Sequence, residues 1–291
     1  MKNIVKKLAV YILLIGISYA YIYPILYMTV LSFMKIDDLV NPSITWVGSE
    51  LYTKNYKLAY ETLKYIPALI NTVYVSVVPA VLQTVSAALV GYGLARFKFA
   101  GKNLLIVFVI AAFLIPVQVT MIPKYIMINN FKLMQSELTI FLPALFGQGI
   151  NSSVFILIFY RFFNSYPVAL DEAAELDGCG NLKIFFKIAL PMCVPAIIVS
   201  FIFSFIWYWN ETYLSGMFIG EKIKTLPMML SNFDKLFSTQ YPVVEGSLGN
   251  RINESMSMAA TNLTILPLII MYLIIQRHFV ESIDKTGVTG E

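Results

Sequence analysis

Charged residues are scarce in this sequence of 291 residues: Asp, Glu, Lys and Arg make up 13%, against roughly a quarter in soluble domains. Hydrophobic residues make up 58%, and the mean hydropathy is +0.73. This balance indicates a membrane protein rather than a soluble domain. The net charge of +4 is spread along the chain without a basic run, so nothing in it indicates binding to nucleic acid.

Residue types that build catalytic and metal sites are scarce as well. The chain has one histidine, His278, and its two cysteines, Cys179 and Cys193, match no metal-ligand spacing. It contains neither His-Glu-x-x-His nor Gly-x-Ser-x-Gly, so a membrane hydrolase would lack its parts. It also lacks the Gly-x4-Gly-Lys-Ser/Thr phosphate loop. We therefore expect no ATP hydrolysis by this chain, no metal site and no cofactor.

Long hydrophobic runs, in contrast, are abundant. About 20 apolar residues cross a bilayer as a helix, and on that scale we predict an all-α membrane protein with six transmembrane helices. The first span lies in residues 1–34, and a core over residues 67–291 holds the other five, at residues 67–94, 103–126, 138–160, 191–213 and 258–275. Residues 35–66 are too hydrophilic to cross and are predicted to form an extracytoplasmic loop.

The N-terminus has two interpretations. Ser18-Tyr19-Ala20 resembles a signal-peptide cleavage site, but the apolar run continues far beyond it, which favours a retained first span. Arg96, Lys98 and Lys102 form a short loop without acids after the second span, and the positive-inside rule assigns such a loop to the cytoplasm. With six spans, both termini and segment 165–190 are then expected in the cytoplasm.

Ionisable residues are missing from the middle of the predicted spans. No Asp, Glu, Lys or Arg lies in the central stretch of any of them. Carriers driven by protons or sodium usually hold ionisable side chains inside the membrane, at the site of ion coupling. Their absence here disfavours an ion-coupled carrier.

The most informative polar stretch is segment 165–190, between the fourth and fifth predicted spans. Pro167 suits the first turn of a helix, where a missing N–H costs nothing. Glu172 then lies near the positive end of the helix dipole, and Ala173-Ala174 favour a helix without adding bulk. Asp177-Gly178 ends that helix, because glycine adopts left-handed backbone angles cheaply. A second apolar helix follows, so the segment favours helix, turn and helix over a solvated charged loop.

This segment and its flank resemble the cytoplasmic EAA loop of bacterial ABC-importer permeases. The matching residues are Glu172-Ala173-Ala174, Asp177-Gly178, Ile188 and Leu190-Pro191. We expect the second helix to end at Pro191. Three weaker matches resemble the carbohydrate-uptake permeases of the maltose type, in that family's order: Trp209-Asn210-Glu211, Thr225-Leu226-Pro227 and Gln276-Arg277-His278-Phe279-Val280. The resemblance covers nearly the whole chain, although the tail after Val280 departs from the family's usual ending.

The resemblance implies a type I importer permease fold in the bacterial inner membrane, with a coupling helix between spans 4 and 5, a cytoplasmic coupling loop 165–190 and a cytoplasmic tail 276–291. It implies two ATP-binding ABC subunits, a homologous permease subunit, an extracytoplasmic sugar-binding protein and a carbohydrate as partners, besides membrane lipid. The chain would be a non-catalytic subunit that couples ATPase motion to alternating access. Region 214–256 would meet the sugar-binding protein, and it is long enough to have structure of its own.

By the same resemblance, five residues form the ATPase-coupling site: Glu172, Ala173, Ala174, Asp177 and Gly178. Gly178 is expected to set the bend, and the two alanines to permit close docking of the helix to an ATPase. Glu172 is the expected polar contact with the ATPase. Asp177 is expected to cap or buttress the turn.

Three of the predicted spans contain residues that could line a transport path. Gln118 lies between two prolines, where it either makes an interhelical hydrogen bond or lines a translocation path. Stretch 147–153 is polar where a lipid-facing helix would be apolar, so the helix is broken there or a short helix precedes the true span. The aromatic residues that end the fifth span form either an interface belt or a platform for sugar rings. The candidate pathway residues are Gln118, Gln148, Asn151, Ser152, Trp209 and Asn210.

Two alternatives stay open at this point. An ABC-importer permease for a peptide, phosphate or amino acid would share the EAA loop, although Trp209-Asn210-Glu211 and the motif from Gln276 to Val280 disfavour it. A membrane enzyme or an ion-coupled carrier would match the loop by accident. Copurification separates these classes, because a permease brings down an ATPase and a sister permease.

Overall fold

The structure is a computed structural model that describes residues 2–220, 222–242 and 252–287. Helices account for 77% of it, and no β-strand occurs in these three ranges. This result confirms the predicted all-α class. The chain divides into two compact units: a first unit of residues up to 68 with 229–269, and a second unit of residues 69–228 with 270 onward.

The helices follow one another with short connections. In the described ranges they are α1 (Lys2–Ser32), α2 (Ile36–Leu39), α3 (Lys54–Thr62), α4 (Tyr65–Arg96), α5 (Lys102–Leu114), α6 (Val117–Asn130), α7 (Leu138–Leu145), α8 (Ser152–Ser165), α9 (Ala169–Leu176), α10 (Asn181–Ile184), a π-helical turn (Phe185–Ala189), α11 (Leu190–Met192), α12 (Val194–Asn210), α13 (Tyr213–Phe218), α14 (Leu226–Ser231), α15 (Phe233–Gln240) and α16 (Glu254–Gly287).

Helices occur both in the predicted extracytoplasmic loop and in the long region that is expected to have structure of its own. Region 35–66 holds α2 and α3, and region 214–256 holds α13, α14 and α15; residues 221 and 243–251 of the latter lie outside the described part. Helix α16 continues through the first part of the predicted tail to Gly287. The last four residues of that tail, 288–291, lie outside the described ranges.

A polar cluster in the first unit ties three helices together. From α3, Nδ2 of Asn55 donates to the carbonyl oxygens of Ser32 (3.0 Å) and Met34 (2.8 Å) at the end of α1. The hydroxyls of Ser32 and Tyr56 lie 2.8 Å apart. From α16, Nδ2 of Asn262 donates to both hydroxyls, at 3.2 and 3.0 Å. These hydrogen bonds hold α3 to the end of α1 and to α16, although the buried Oδ1 of Asn55 has no hydrogen-bond partner.

The number of spans depends on how bent helices are counted. Three helical stretches are long and apolar enough to cross a membrane alone: Lys6–Ser32, Tyr65–Arg96 and Glu254–Gln276. Three further pairs of helices qualify only together, and each pair is bent by more than 40°, so the total reaches six if every pair is one span. The predicted count of six equals this upper total and stays a prediction.

The third predicted span, residues 103–126, is two helices rather than one kinked helix. Helices α5 and α6 meet at 101°, with the break at Ile115 and Pro116. Ile115 has extended backbone angles (φ −77°, ψ 120°), as expected for a residue that precedes proline. Proline therefore ends α5 entirely instead of only bending it.

The fourth predicted span, residues 138–160, is also interrupted. The short helix α7 ends at Leu145, and α8 begins at Ser152. Gly147 (φ 70°) and Asn151 (φ 51°) take left-handed angles in the connection, which a continuous helix excludes. Of the two alternatives for the polar stretch, a short helix that precedes the longer one is therefore the observed arrangement.

The second helix of segment 165–190 ends at Met192, one residue beyond its predicted end at Pro191. Pro191 lies inside this helical path, directly after a π-helical turn. The π-helical turn before it supplies the continuity, because the N–H of Leu190 donates to the carbonyl of Phe185. The helical path bends by 78° one residue beyond Met192, at Cys193.

Candidate functional site

Helix α9 ends in a tight glycine turn. Gly178 has a φ of +77°, and the N–H of Cys179 donates to the carbonyl of Ala174 at 2.9 Å. The N–H of Gly178 donates to the carbonyl of Glu175 at 3.0 Å. These two hydrogen bonds form a Schellman motif, in which a left-handed residue satisfies the last carbonyls of the helix. A Cβ at Gly178 would meet nothing within 4 Å, so the backbone angles alone require glycine here.

Four of the five predicted coupling residues are exposed on this chain: Glu172, Ala173, Asp177 and Gly178. The fifth, Ala174, is buried against its own chain, with 7% of its surface exposed. Asp177 occupies the C-cap position, where its backbone N–H donates to the carbonyl of Ala173. The motif therefore presents one polar face outward and rests on Ala174.

Large apolar side chains are also exposed on this segment. From the N-cap of α9 to the π-helical turn they are Val168, Leu170, Leu176, Leu182 and Phe186. Leu176 is 90% exposed, directly before the glycine turn. We call these five residues with Glu172 and Ala173 the loop face. Several large apolar side chains exposed on one segment, together with polar ones, are typical of a protein interaction site.

Arg96, in the last turn of α4, holds the opposite side of α9. Its guanidinium carbon lies 3.7 Å from the centre of the Tyr166 ring, and its Nη2 donates to the Tyr166 carbonyl at 2.9 Å. Its Nε lies 3.0 Å from Oδ2 of Asp171, an ion pair without the angle of a hydrogen bond. The Tyr166 hydroxyl donates to both oxygens of Asp171, at 2.7 and 2.9 Å. We call Arg96, Tyr166 and Asp171 the Arg96 clamp.

The Arg96 clamp is withdrawn from solvent. The side chains of Arg96 and Asp171 are 9% and 10% exposed. Burial, together with the hydrogen bond to Asp171, raises the pKa of Tyr166. The phenol therefore stays protonated and keeps donating to the carboxylate at physiological pH.

An aromatic layer fixes the second arm of the loop. Phe185, in the π-helical turn, packs on Tyr92 of α4 with ring centres 5.0 Å apart. Phe163 of α8 lies 5.3 Å from Tyr92, edge to face, and contacts the Tyr166 ring as well. Both arms of the loop are thus fastened to the ends of α4 and α8.

Sequence reasoning missed a second polar centre, which we call the Gln83 network. Gln83, fully buried in α4, donates from Nε2 to the Ile150 carbonyl (2.8 Å) and to the Ser204 hydroxyl (2.9 Å). The Tyr208 hydroxyl donates to Oε1 of Gln83 at 2.7 Å and accepts from the Ile150 N–H at 3.2 Å. The network joins the polar break 146–151 to α4 and α12. A buried glutamine inside an apolar span was the available signal.

The predicted pathway residues near the break differ in exposure. Gln148 and Asn151 are exposed within it. Ser152, the first residue of α8, is 3% exposed, and its hydroxyl has no hydrogen-bond partner in the structure. The Gln83 network brings these three residues close to the end of α12, because Ile150 lies among them.

The other three predicted pathway residues lie on α6 and at the end of α12. Gln118 is exposed near the start of α6. Trp209 is 2% exposed and packs on Phe205, with its Nε1 unpartnered. Asn210 is exposed and donates to the Ile206 carbonyl of its own helix. Trp209 is therefore a core residue of this chain rather than part of an exposed aromatic belt.

Two weaker sequence motifs have clear structural roles. Both carboxylate oxygens of Glu211 accept from the N–H of Leu214 (2.8 and 3.1 Å), which caps the start of α13. The N–H of Leu226 donates to Oγ1 of Thr72 at 2.8 Å, and Nδ2 of Asn71 donates to the Lys224 carbonyl at 3.1 Å. The Thr-Leu-Pro motif is thereby anchored to α4. Within the described ranges, no three His, Cys, Asp or Glu side chains are grouped to hold a metal ion.

Apolar helices with a helix–turn–helix loop fastened to their ends define a multi-pass α-helical membrane component. The chain matches the model of the family described as binding-protein-dependent transport system inner membrane component over residues 87–285, and it belongs to that family. The chain is therefore an inner-membrane transport component of the permease class.

Its relatives are permease proteins of similar length. The probable starch degradation products transport system permease protein AmyC of Thermoanaerobacterium thermosulfurigenes is 28% identical over 96% of both chains. The arabinooligosaccharides transport system permease protein AraQ of Halalkalibacterium halodurans is 26% identical over 100% of both. The diacetylchitobiose uptake system permease protein DasC of Streptomyces coelicolor is 26% identical over 92% of both.

A solved structure shares the fold. It is a chain of a bacterial ABC transporter involved in the import of the acidic polysaccharide alginate, and it superposes with a TM-score of 0.76 at 20% identity. The match covers 96% of this chain and 98% of the other. The predicted permease fold is therefore confirmed at the level of overall architecture.

Proposed function

We propose that this chain is the permease subunit of an ATP-driven, binding-protein-dependent importer of carbohydrates. The proposal rests on one observation: the loop face is exposed, while the opposite side of α9 is held by the Arg96 clamp to the end of α4. A surface that is both exposed and rigidly attached suits the reception of force from another subunit. The relatives named for starch products, arabinooligosaccharides and diacetylchitobiose support the carbohydrate class.

The proposed assembly contains two ATP-binding ABC subunits, a homologous permease subunit and an extracytoplasmic sugar-binding protein. ATP hydrolysis belongs to the ABC subunits, since this sequence has no phosphate loop. Six spans, with segment 165–190 and both termini in the cytoplasm, would place the loop face where an ATPase can reach it. The acid-free loop of Arg96, Lys98 and Lys102 supports this orientation.

The coupling residues act mechanically in this proposal. Glu172 supplies the polar contact to the ATPase, and Ala173 permits close docking because it adds little bulk. Gly178 fixes the bend through its left-handed angles, and Asp177 begins the turn. Ala174 lies on the buried side of α9, where its small side chain lets the helix pack closely against the rest of the chain. ATP-driven closure of the ATPases would move α9 and open the permease pair alternately.

The sugar path is proposed near the polar break. Gln148 and Asn151 carry the proposal best, because their polar side chains are exposed on this chain and can face a cavity shared with the sister permease. Gln118 and Asn210 are exposed as well, on other helices. Ser152 and Trp209 are buried, so they would act on the path by shaping its wall. Uptake of a panel of labelled sugars by the reconstituted complex identifies the substrate.

Gly178→Val and Gly180→Val form a matched pair that tests the coupling role. Gly180 has ordinary extended angles (φ −75°, ψ 159°), which valine adopts readily. Valine at φ +77° costs about 1–2 kcal/mol and distorts the turn. In proteoliposomes with the complete complex, we expect Gly178→Val to insert and assemble but to transport little sugar per ATP hydrolysed. Normal coupled uptake by Gly178→Val would count against the proposal, and Gly180→Val should behave as wild type.

The side of the membrane is tested by cysteine labelling. Cys179 is partly exposed, so Cys179→Ser removes the competing thiol, while Cys193 is buried. In that background, Glu172→Cys should react with a membrane-impermeant maleimide only in inside-out vesicles. Ser43→Cys, exposed in region 35–66, should react only from the outside. Labelling of Glu172→Cys in intact cells would overturn the orientation.

A further inference from the structure

We propose that Arg96 is a positioning residue that couples the loop to the membrane-spanning helix α4, so that movement of α9 reaches the polar break around Ile150. This inference rests on the proposed function and adds to it the route by which force enters the spans. The residues that carry it are Arg96, Tyr166 and Asp171 at one end of α4 and Gln83 further along the same helix.

The connection between α8 and α9, residues 166–168, is the point at which the loop would bend most easily if nothing supported it. We call it the joint. The two helices meet at 73°, and the residues between them, starting with the extended Tyr166 (φ −84°, ψ 150°), are not helical. Without a contact across this joint, part of a force applied to the loop face would rotate α9 instead of moving a span. Arg96 prevents that rotation, because it contacts Tyr166 in the joint and Asp171 in α9 at the same time.

Arginine suits this position better than lysine. Its planar guanidinium lies against the Tyr166 ring, donates to the carbonyl of the same residue and meets a carboxylate at its edge. An ammonium group would reach the carboxylate but could not stack on the ring in the same way. These three contacts together fix the orientation of α9 relative to Arg96, whereas a single ion pair would allow α9 to rotate about it.

Helix α4 provides the connection into the membrane. Arg96 and Gln83 are 13 residues apart on it, about 20 Å along the axis at 1.5 Å per residue. The proline of α4, Pro79, lies outside this stretch, so the helical hydrogen bonds between Gln83 and Arg96 are not interrupted by proline. Gln83 in turn bonds to the Ile150 carbonyl in the polar break. A push on Asp171 would therefore shift the break through one helix.

The test uses the complete complex, reconstituted with its ATPases, sister permease and sugar-binding protein. Arg96→Met keeps bulk without charge, Asp171→Asn removes the partner charge, and the double variant completes a double-mutant cycle. Lys98→Gln is the control, since it removes a positive charge from an exposed side chain two residues away. The readout is sugar taken up per ATP hydrolysed, together with the amount of ATPase that copurifies.

We expect Arg96→Met and Asp171→Asn each to lower uptake per ATP about tenfold while the ATPases still copurify. The double variant should be no worse than either single variant, because the two residues act through one contact. Lys98→Gln should match wild type. The proposal would be overturned if the Arg96→Met complex took up as much sugar per ATP as the Lys98→Gln complex. It would also be overturned if the losses of the two single variants multiplied in the double variant.

If Arg96→Met fails to assemble, Tyr166→Phe decides the matter. It removes only the hydroxyl that holds Asp171 and leaves the ring and the ion pair in place. We expect a lower ratio of uptake to hydrolysis with normal assembly, and a wild-type ratio overturns the proposal. Failure of the proposed function would give a different result, because the wild-type complex itself would then take up no sugar with ATP. The proposed role of Arg96 would be wrong in that case as well.

Discussion

Tyr208 donates a hydrogen bond of 2.7 Å to Oε1 of Gln83, which joins α12 to α4 across 125 residues of sequence. The same hydroxyl accepts from the N–H of Ile150, so one phenol holds both a span and the break beside it. Gly149 packs directly on this pair, and a Cβ there would overlap Oε1 of Gln83 and the Tyr208 hydroxyl. The polar break therefore packs directly against the Gln83 network. Position 149 requires glycine because there is no space for a side chain, not because of its backbone angles.

Tyr208→Phe tests how much the Gln83 network stabilises the protein. The ring stays, but Oε1 of Gln83 loses its donor and the Ile150 N–H loses its acceptor. Leaving such buried groups unpaired should lower the free energy of unfolding by about 1–3 kcal/mol. Denaturation of the purified protein in detergent measures this change. Tyr272→Phe, at a residue 50% exposed on α16, is the control, and equal stability of the two variants would contradict the assignment.

Gly91 and Gly93 provide a second matched pair, because they lie two residues apart in α4 but have different surroundings. A Cβ at Gly91 would lie 2.6 Å from Cβ of Phe159 and 2.9 Å from the backbone nitrogen of Tyr160, whereas at Gly93 it would meet nothing within 4 Å. Gly91→Ala must push α4 and α8 apart, which should cost about 1–3 kcal/mol. Gly93→Ala should be neutral or slightly stabilising. Similar melting temperatures for the two variants would show that α4 and α8 do not approach closely at Gly91.

Local backbone chemistry explains which parts of the loop could be predicted from the sequence. The Asp177-Gly178 turn was predictable, because a left-handed residue after a helix is a strictly local demand that glycine meets. The end of the second helix was predicted one residue too early, since proline usually ends a helix through its missing N–H and the clash of its ring with the preceding turn. A π-helical turn over residues 185–189 accommodates Pro191 here, and no local sequence pattern predicts that turn.

Contacts between distant residues explain what the sequence could not reveal. Arg96 was read as a topological signal, and its partner Asp171 is 75 positions away, so the clamp depends on how the helices pack. The polar break was visible as Gln148 and its neighbours, yet Gln83 and Tyr208, which brace it, lie in otherwise apolar stretches. Trp209 looked like an exposed aromatic residue, because sequence alone does not tell which face of α12 the rest of the chain covers.

Asn262→Ala tests the polar cluster of the first unit. Asn262 is the donor from α16 to the hydroxyls of Ser32 and Tyr56. Truncation removes both hydrogen bonds but leaves the two hydroxyls bonded to each other, so we expect a loss of about 1–2 kcal/mol. Asn164→Ala, at an exposed residue that bonds only to its own helix, is the control in the same detergent unfolding assay. A loss no larger than that of the control would mean that the cluster does not hold α16.

Thr72→Val tests whether α4 anchors the Thr-Leu-Pro motif. Valine keeps the shape of threonine but removes the oxygen that accepts from the Leu226 N–H. Leu226 is fully buried, so its N–H would lose a partner that water cannot replace, and opening of this segment should become easier by about 1–3 kcal/mol. Hydrogen–deuterium exchange of peptides over α14 should then speed up about fivefold or more, because exchange follows the opening equilibrium. Thr120→Val, on the exposed face of α6, should leave α14 unchanged. If α14 exchanges equally slowly in both variants, the hydrogen bond from Leu226 does not hold the motif, and its attachment depends on apolar packing and on the bond from Asn71 to the Lys224 carbonyl.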